Sequence, residues 1–360
     1  MNKSLSVLGA GAIGSSIGAD LTKAGYNVML IDQWLVHVEA MKACGLRISL
    51  PDEELHVPVK AFHLCELCVV RPQLDIVFLA TKAYDTTWMV RLIQPYLKPD
   101  GVLVSVQNSL NDEWIVPILG HERDIAAAIE LHASIFEPGL VKRYTDHKIT
   151  KFVLGELHGR ITPRLEEIAQ ILRLVGKTEI STNIWGAKWT KLVLNSMTPF
   201  DAILGRKTPE LLTLPGVLEY SVKLARETAQ VATTLGYRLE PILGLTEEDF
   251  MGLTDDAFKK LLFKMLSDTR RRSRHCTGSP TAQDGSRVSE DASHAAQDIL
   301  KGRRTELDYL NGLVVKKGQE AKVPTPWNEA VASVARQIDQ GILKPDPSNL
   351  KLLEQRASIE

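Results

Sequence analysis

Three glycines near the N-terminus, Gly9, Gly11 and Gly14, form a G-x-G-x-x-G pattern directly after the apolar run Leu5 to Leu8. In such a pattern the first glycine permits a tight turn, the second lets the backbone approach a pyrophosphate, and the third lets a helix pack closely on a strand. The N–H groups that begin the helix would face the phosphates. We expect the phosphates of a bound dinucleotide to contact Gly9, Ala10, Gly11, Ala12, Ile13 and Gly14. The alternative is a glycine-rich turn in another α/β fold.

An acidic residue, Asp32, follows the second predicted strand, Asn27 to Ile31. A carboxylate at this position can accept hydrogen bonds from the ribose hydroxyls of a dinucleotide, and it repels a 2′-phosphate. Asp32 therefore predicts NAD as the preferred cofactor, with NADP as the other possibility. The alternative interpretation of Asp32 is a solvated turn residue.

Polar residues end the next two predicted strands of the same region. The apolar run Asp75 to Lys82 ends in a lysine, and the run Gly101 to Val106 is followed by Gln107 and Asn108. In a doubly wound sheet, ligands bind beyond the carboxyl ends of the strands. We therefore expect Lys82 and Asn108 to meet the cofactor or the substrate. An exposed lysine at a strand end is the alternative for Lys82.

A lysine and an asparagine lie four residues apart in the predicted helix Trp185 to Asn195. Lys191 and Asn195 therefore project from one face of this helix, and apolar residues occupy its other faces. Polar groups on a largely buried helix need partners, which makes both residues candidates for function. Lys188, one turn earlier, competes with Lys191 for any such role. The alternative is a lysine that extends along the protein surface.

The elements that must position these residues predict two domains. Strands and helices alternate through residues 1–183, which predicts a doubly wound, mostly parallel sheet of the Rossmann type. Within it, Gly45 to Ala61 and Leu140 to Leu154 are predicted as hairpins. Residues 184–360 predict helices only, and a length of 360 residues also favours two domains.

Two segments of the predicted helical domain bear on function. Ala295 to Lys317 is predicted as one helix with Glu306 in its middle. The polar segment Ser267 to Ala292, which contains an arginine cluster, is predicted as a mobile loop or a disordered insertion. The arginines could meet an acidic ligand, but a solvated charge cluster is the preferred interpretation.

The composition excludes several classes of protein. A net charge of −1 gives no general attraction to nucleic acids or anionic membranes, and no apolar run is long enough to span a bilayer. Four cysteines are too few for a disulfide framework, which favours a cytoplasmic protein. Cys65 and Cys68 form C-x-x-C, but no second pair is near, so we expect no metal site.

These motifs together resemble the ketopantoate reductase family, the 2-dehydropantoate 2-reductases, over nearly the whole chain. The matching motifs are GAGAIG at Gly9–Gly14, TK at Thr81-Lys82, QN at Gln107-Asn108, K-x-x-x-N at Lys191 and Asn195, and QDILKGRRTELDYLNG at Gln297–Gly312. The last motif is the most specific, because the first is shared with many dehydrogenases.

The resemblance implies a Rossmann domain followed by an all-helical domain of the 6-phosphogluconate dehydrogenase C-terminal-like type. It implies hydride transfer between NAD or NADP and a 2-oxo or 2-hydroxy acid in pantothenate biosynthesis, with Lys191 as the general acid. Glu306 would orient Lys191 and contact substrate and cofactor. Asn195 and Asn108 would bind the substrate, Lys82 would lie beside the cofactor, and the protein would be a homodimer.

The chain departs from the family pattern at positions that contact substrate or cofactor. Pro199 stands where a second asparagine is usual, and His294 stands where a serine is usual, with Ser293 one position before it. Asp32 stands where many NADPH-dependent members have a basic residue, and Ser109 replaces a glycine. We therefore take Ser293 and His294 as candidate substrate ligands. A histidine on the helix surface is the alternative for His294.

These departures leave two further hypotheses open. The chain could be an NAD-dependent dehydrogenase of the same fold that acts on a different hydroxy acid or alcohol. It could also be a dinucleotide-sensing protein without turnover, but that hypothesis requires an incomplete catalytic set. Lys191, Asn195 and Glu306 are all present.

Overall fold

A computed structural model of the chain describes residues 3–241, 245–252, 254–263 and 292–358, without the side chains of residues 208 and 209. The chain divides into two compact units, one up to Ile184 and one from Trp185 onwards. The polar segment predicted at 267–292 lies outside the described residues, apart from Ala292.

The first unit contains an eight-stranded sheet. Its strands are β1 (Ser4–Leu8), β2 (Asn27–Asp32), β5 (Lys60–His63), β6 (Leu74–Leu79), β7 (Leu97–Ser105), β8 (Asp124–Glu130), β11 (Lys151–Glu156) and β12 (Lys177–Ile180). Their order is β12-β11-β8-β7-β6-β1-β2-β5, and only the β8–β11 pair is antiparallel among the described pairings of this sheet. The strand order reverses at β1, which pairs with β2 on one side and β6 on the other. A mostly parallel sheet was predicted and is confirmed.

A smaller, four-stranded sheet completes the strands of this unit. Its strands are β3 (Leu46–Ser49), β4 (Glu54–Val57), β9 (Ala133–Glu137) and β10 (Leu140–Arg143), in the order β4-β3-β10-β9. The antiparallel pair β3–β4 confirms the hairpin predicted for Gly45 to Ala61. The hairpin predicted for Leu140 to Leu154 is wrong, because β10 and β11 belong to different sheets. Burial alternates along β10, whereas the second half of β11 is buried without interruption, as befits a strand inside the larger sheet.

Helices of the first unit flank the large sheet. They are α1 (Ala12–Lys23), α2 (Leu35–Cys44), α3 (Leu67–Val70), α4 (Thr86–Ile93), α5 (Asp112–Leu119) and α6 (Pro163–Leu172). Alternate residues of β6 belong to two separate apolar clusters: Phe78 lies in one, and Val77 and Leu79 lie in the other. The sheet is therefore buried on both faces, which explains its continuous apolar runs.

The second unit is helical in its described parts, as predicted. Its helices are α7 (Ile184–Ser196), α8 (Phe200–Leu204), α9 (Thr208–Leu211), α10 (Val217–Thr234), α11 (Glu247–Met251), α12 (255–263), α13 (His294–Leu300), α14 (Leu307–Ala321), α15 (Pro326–Asp339) and α16 (Asn349–Ala357). Helix α15 packs against both α14 and α16.

The single helix predicted for Ala295 to Lys317 is wrong, since α13 and α14 are separate. Gly302 ends α13 in a left-handed conformation with φ of +63°, and the next residue, Arg303, donates its N–H to the carbonyl oxygen of Asp298 at 2.8 Å. This is a common way for a helix to end at glycine. Glu306 consequently occupies the N-cap position of α14 instead of the middle of a helix.

Candidate active site

The three glycines of the N-terminal motif have different surroundings. Gly9 has a φ of +95°, and a Cβ atom on it would lie 2.8 Å from Cγ2 of Thr81. A Cβ atom on Gly14 would overlap the carbonyl oxygen of Gly9. Gly11 is the N-cap residue of α1, and a Cβ atom on it would meet nothing within 4 Å. The first and third glycines are therefore required for packing, whereas the second faces open space beside a helix N-terminus.

The carbonyl oxygen of Ala10, in the same turn, accepts two side-chain hydrogen bonds that the motif does not predict. Ser15 Oγ lies 2.7 Å from this oxygen, and Nε2 of His37 lies 2.9 Å from it. Both side chains are fully buried. His37 is the third residue of α2 and lies 27 positions along the chain from Ala10, and no spacing in the sequence connects the two.

Asp32 is the last residue of β2 and is 9% exposed. Its Oδ1 accepts a hydrogen bond from the backbone N–H of Trp34 at 2.7 Å. Within the part of the chain that the structure describes, its Oδ2 accepts none. One carboxylate oxygen thus fixes the side chain, and the other can accept hydrogen bonds from a ligand.

Lys82 and Asn108 follow the ends of the neighbouring strands β6 and β7. Gln107 ties these ends together, because its Nε2 donates to the carbonyl oxygen of Thr81 at 2.8 Å and to Oγ1 of Thr86 at 3.0 Å. Its Oε1 is buried and has no hydrogen-bond partner among the described residues. Lys82 and Asn108 thus lie at the same edge of the sheet as the glycine turn. The Oε1 atom of Gln107 at this edge can accept a hydrogen bond.

In the second unit, Lys191 and Asn195 share one face of α7, and both are half-buried. The three residues after Lys191 are at most 7% exposed, which agrees with the predicted burial of this helix. Lys188 is only 2% exposed and is more deeply buried than Lys191. Asn311 of α14 anchors the end of α7, since its Nδ2 donates to the carbonyl oxygen of Ser196 at 2.9 Å.

Asn311 also belongs to a buried network that the sequence analysis missed. Its Nδ2 lies 2.9 Å from Oδ1 of Asn328, and Asn328 donates its backbone N–H and its Nδ2 to the carboxylate of Glu227 at 2.9 and 2.8 Å. The backbone N–H of Trp327 donates to the same carboxylate at 2.9 Å. Burial raises the pKa of Glu227 to about 7, although these three donors favour the ionised form.

The remaining predicted residues, Ser293, His294 and Glu306, lie at the beginnings of α13 and α14. Ser293 is the N-cap residue of α13, and its Oγ donates to Oδ1 of Asp201 at 2.8 Å. Its backbone N–H donates to Oδ2 of Asp201 at 2.6 Å. Burial raises the pKa of Asp201. The hydroxyl of Ser293 therefore already has a partner within the protein, while His294 is half-buried and Glu306 is 5% exposed.

The described residues offer neither a metal site nor a membrane-spanning helix. No group of three or more histidine, cysteine or acidic side chains could hold a metal ion there, and Cys65 and Cys68 are both exposed. Within the same ranges, no helix is both long and apolar enough to cross a membrane.

Known proteins resemble this chain over most of its length. A 2-dehydropantoate 2-reductase of Archaeoglobus fulgidus is 28% identical to it, over 93% of this chain and 98% of that protein. The crystal structure of a PanE/ApbA family ketopantoate reductase from Ralstonia eutropha JMP134 matches with a TM-score of 0.74 and 25% identity, over 94% of this chain and 99% of that one. A D-mandelate dehydrogenase solved with NADH and anilino(oxo)acetate shares the fold, with a TM-score of 0.75, 22% identity and coverage of 94% and 99%.

Family models match both units of the chain. The model of ketopantoate reductase PanE/ApbA matches residues 5–158, and the model of its C-terminal part matches residues 183–339. The glycine turn lies in the first match, and Lys191, Asn195 and Glu306 lie in the second. The chain therefore belongs to the ketopantoate reductase family and is an oxidoreductase that acts on CH–OH groups.

Proposed function

We propose that this protein is a 2-dehydropantoate 2-reductase that reduces the ketone of 2-dehydropantoate with a reduced nicotinamide dinucleotide. One observation carries the proposal above all others. Lys191 and Asn195 lie on a single face of α7, and this helix is buried on its other faces and anchored at its end by Asn311. A proton donor and an amide are thus held at a fixed separation, as ketone reduction requires.

The residues of the first unit fit a nicotinamide dinucleotide. Gly11 leaves room for a pyrophosphate beside the N-terminus of α1, and Oδ2 of Asp32 can accept hydrogen bonds from ribose hydroxyls. The buried Oε1 of Gln107 offers an acceptor at the same sheet edge. Lys82 and Asn108 complete the proposed cofactor site. Because the carboxylate of Asp32 repels a 2′-phosphate, we propose that NAD(H) is preferred over NADP(H).

The proposed chemistry needs one proton donor. When bound, the reduced nicotinamide supplies a hydride to the carbonyl carbon of the keto acid. Negative charge then develops on the carbonyl oxygen, where the ammonium group of Lys191 stabilises it and donates the proton from Nζ. Asn195 holds the substrate by a hydrogen bond, and Glu306 orients Lys191. In the reverse direction Lys191 accepts the proton from the alcohol.

We propose different roles for Ser293 and His294, the two candidate substrate ligands at the beginning of α13. The hydroxyl of Ser293 is bound to Asp201, so we assign Ser293 to the positioning of α13 and His294 to contact with the substrate. We also propose a homodimer, on family membership alone. Light scattering from the purified protein measures the oligomeric state directly.

Replacement of Lys191 by methionine tests the proposed function. We expect K191M to lose at least about 100-fold in kcat with 2-dehydropantoate, because the proton donor is removed, while NADH still binds. K351A, an exposed lysine of α16, is the matched control and should retain full activity. Unchanged activity of a folded K191M would refute the assigned role. An inactive wild-type protein that binds NADH would favour the dinucleotide-sensing alternative.

A further inference from the structure

The buried histidine of α2 contacts the glycine turn on one side and a distant backbone segment on the other. Nε2 of His37 lies 2.9 Å from the carbonyl oxygen of Ala10, and Nδ1 of His37 lies 2.9 Å from the backbone nitrogen of Gly139. Gly139 lies between β9 and β10, 102 residues along the chain. The ring of Trp34 stacks on the imidazole with 5.3 Å between the ring centres. The imidazole is therefore held by contacts on both ring nitrogens and on one face.

These contacts select one form of the imidazole. A backbone N–H can only donate, so Nδ1 of His37 must accept the hydrogen bond from Gly139 and carries no proton. The proton of the neutral ring then resides on Nε2 and is donated to the carbonyl oxygen of Ala10, which has no proton of its own. His37 is thus a fixed hydrogen-bond donor to the glycine turn.

The orientation of one peptide group follows from this hydrogen bond. The bond between Ala10 and Gly11 is trans, so the carbonyl oxygen of Ala10 and the N–H of Gly11 point in opposite directions. His37 and Ser15 both draw the carbonyl oxygen toward the protein interior. The N–H of Gly11 is consequently directed away from the interior, at the start of α1 where helical N–H groups have no acceptor within the helix.

We propose that His37 is a positioning residue for the pyrophosphate of the nicotinamide dinucleotide. It acts through Ala10, whose carbonyl oxygen it holds, so that the N–H of Gly11 is presented to a phosphate oxygen before the cofactor arrives. Binding then does not require this peptide to reorient. The inference rests on the proposed function, because it concerns the cofactor of that reaction.

Two replacements of His37 separate its contacts. In H37Q the amide Nε2 can reach the position of the imidazole Nε2 and donate to Ala10. In H37N the shorter side chain reaches only the position of Nδ1, where its oxygen can accept from Gly139 but no donor reaches Ala10. We expect the dissociation constant for NADH, measured by calorimetry without keto acid, to rise about 10-fold in H37N and less than about 3-fold in H37Q.

A second pair of variants tests the same peptide from the side of Ser15, whose Oγ also lies 3.3 Å from Nε2 of His37. S15A removes the other donor to the carbonyl oxygen of Ala10, whereas S16A removes a neighbouring hydroxyl that donates to the carbonyl oxygen of Ala12 at 2.8 Å. We expect S15A to bind NADH about 3-fold to 10-fold more weakly and S16A to bind it like the wild type. This pair remains informative if H37N fails to fold.

The kinetic pattern distinguishes positioning from a general loss of structure. At saturating NADH, kcat and the KM for keto acid should be unchanged in a folded H37N, and only the KM for NADH should rise. Nitrogen NMR of the wild-type imidazole should show a protonated Nε2 and an unprotonated Nδ1. Equal NADH affinity in folded H37N and the wild type, or a proton on Nδ1, would overturn the role of His37.

The outcomes also separate this inference from the proposed function. If the wild type reduces 2-dehydropantoate and H37N binds NADH equally well, the function stands and the inference fails. If the wild type binds NADH without reducing 2-dehydropantoate, the function fails, and a weakened H37N still supports the inference. A wild type that binds neither NADH nor NADPH contradicts both.

Discussion

Gly14 lies so close to the carbonyl oxygen of Gly9 that a Cβ atom on Gly14 would overlap this oxygen and lie 2.8 Å from Cγ1 of Val7. Gly11, three residues earlier, has nothing within 4 Å of the same point on its backbone. The two glycines belong to one motif, yet one is needed for packing of α1 on β1 and the other leaves room for a ligand. Replacement by alanine should therefore have different consequences at the two positions.

We expect G14A to lower the free energy of unfolding by about 3 kcal/mol, because the added methyl group overlaps backbone that cannot move without displacing β1. We expect G11A to change it by about 1 kcal/mol or less and to weaken NADH binding by at least about 10-fold, because its methyl group would enter the proposed pyrophosphate site. Denaturant titration and calorimetry measure the two effects. A G11A variant that binds NADH like the wild type would contradict the assignment of this turn.

Replacement of Asp32 tests the preferred cofactor. D32S removes the carboxylate that would repel a 2′-phosphate, so we expect kcat/KM with NADPH to rise about 10-fold and kcat/KM with NADH to fall. D52S, an exposed aspartate of the same unit, is the control and should change neither. An unchanged ratio of the two cofactors in D32S would mean that Asp32 does not contact the ribose.

The ion pair between Arg143 and Asp20 should dominate the electrostatic stability of the first unit. Its N–O distance is 2.6 Å, and both side chains are at most 3% exposed. We expect R143M to lower the free energy of unfolding by about 3–5 kcal/mol, because the buried carboxylate of Asp20 loses its guanidinium partner and keeps only the contact with His147, whose Nε2 lies 3.0 Å from its Oδ1. R47M, which breaks the exposed pair with Glu137, should cost about 1 kcal/mol or less. Equal stability losses in R143M and R47M would contradict this account.

Glu227 should make stability depend on pH. Its pKa is raised by burial to about 7, above the ordinary 4.5, so its stabilising contribution is complete below about pH 4.5 and is lost as the pH rises through about 7. Between pH 5 and 8, we expect the free energy of unfolding of the wild type to fall relative to that of E227Q by about 2.5 kcal/mol. Glu219 is a more exposed glutamate of the same helix, α10, and E219Q is the control for E227Q. A constant difference between the wild type and E227Q over this range would rule out the raised pKa.

Local patterns in the sequence predicted much of the first unit. The glycine turn and the apolar run of β6 depend on residues within a few positions of each other, so their spacing carries the information. The sequence analysis did not predict the end of α13 at Gly302. Glycine is also tolerated within helices, and the positive φ that ends this helix depends on the surrounding contacts. The short polar strand β12 was missed because its pairing with β11 is a contact between distant segments.

Long-range contacts account for the missed parts of the site. His37 reaches Ala10 across 27 residues and Gly139 across 102, and Ser293 reaches Asp201 across 92. No periodicity links such positions, so their partners could not be inferred from one sequence. Ser293 was a candidate only because it precedes His294, the position where the family usually has a serine, and only the fold reveals that its hydroxyl is bound to the buried carboxylate of Asp201.

The most direct test of the proposed function is a paired assay of the purified protein with 2-dehydropantoate and either NADH or NADPH. Absorbance of the reduced nicotinamide gives the rate, and chromatography identifies the product. We predict that 2-dehydropantoate is reduced to pantoate, with a higher kcat/KM for NADH than for NADPH. No oxidation of either cofactor by 2-dehydropantoate, together with reduction of NAD by a different hydroxy acid, would contradict the proposal and make Pro199 and His294 the first positions to vary.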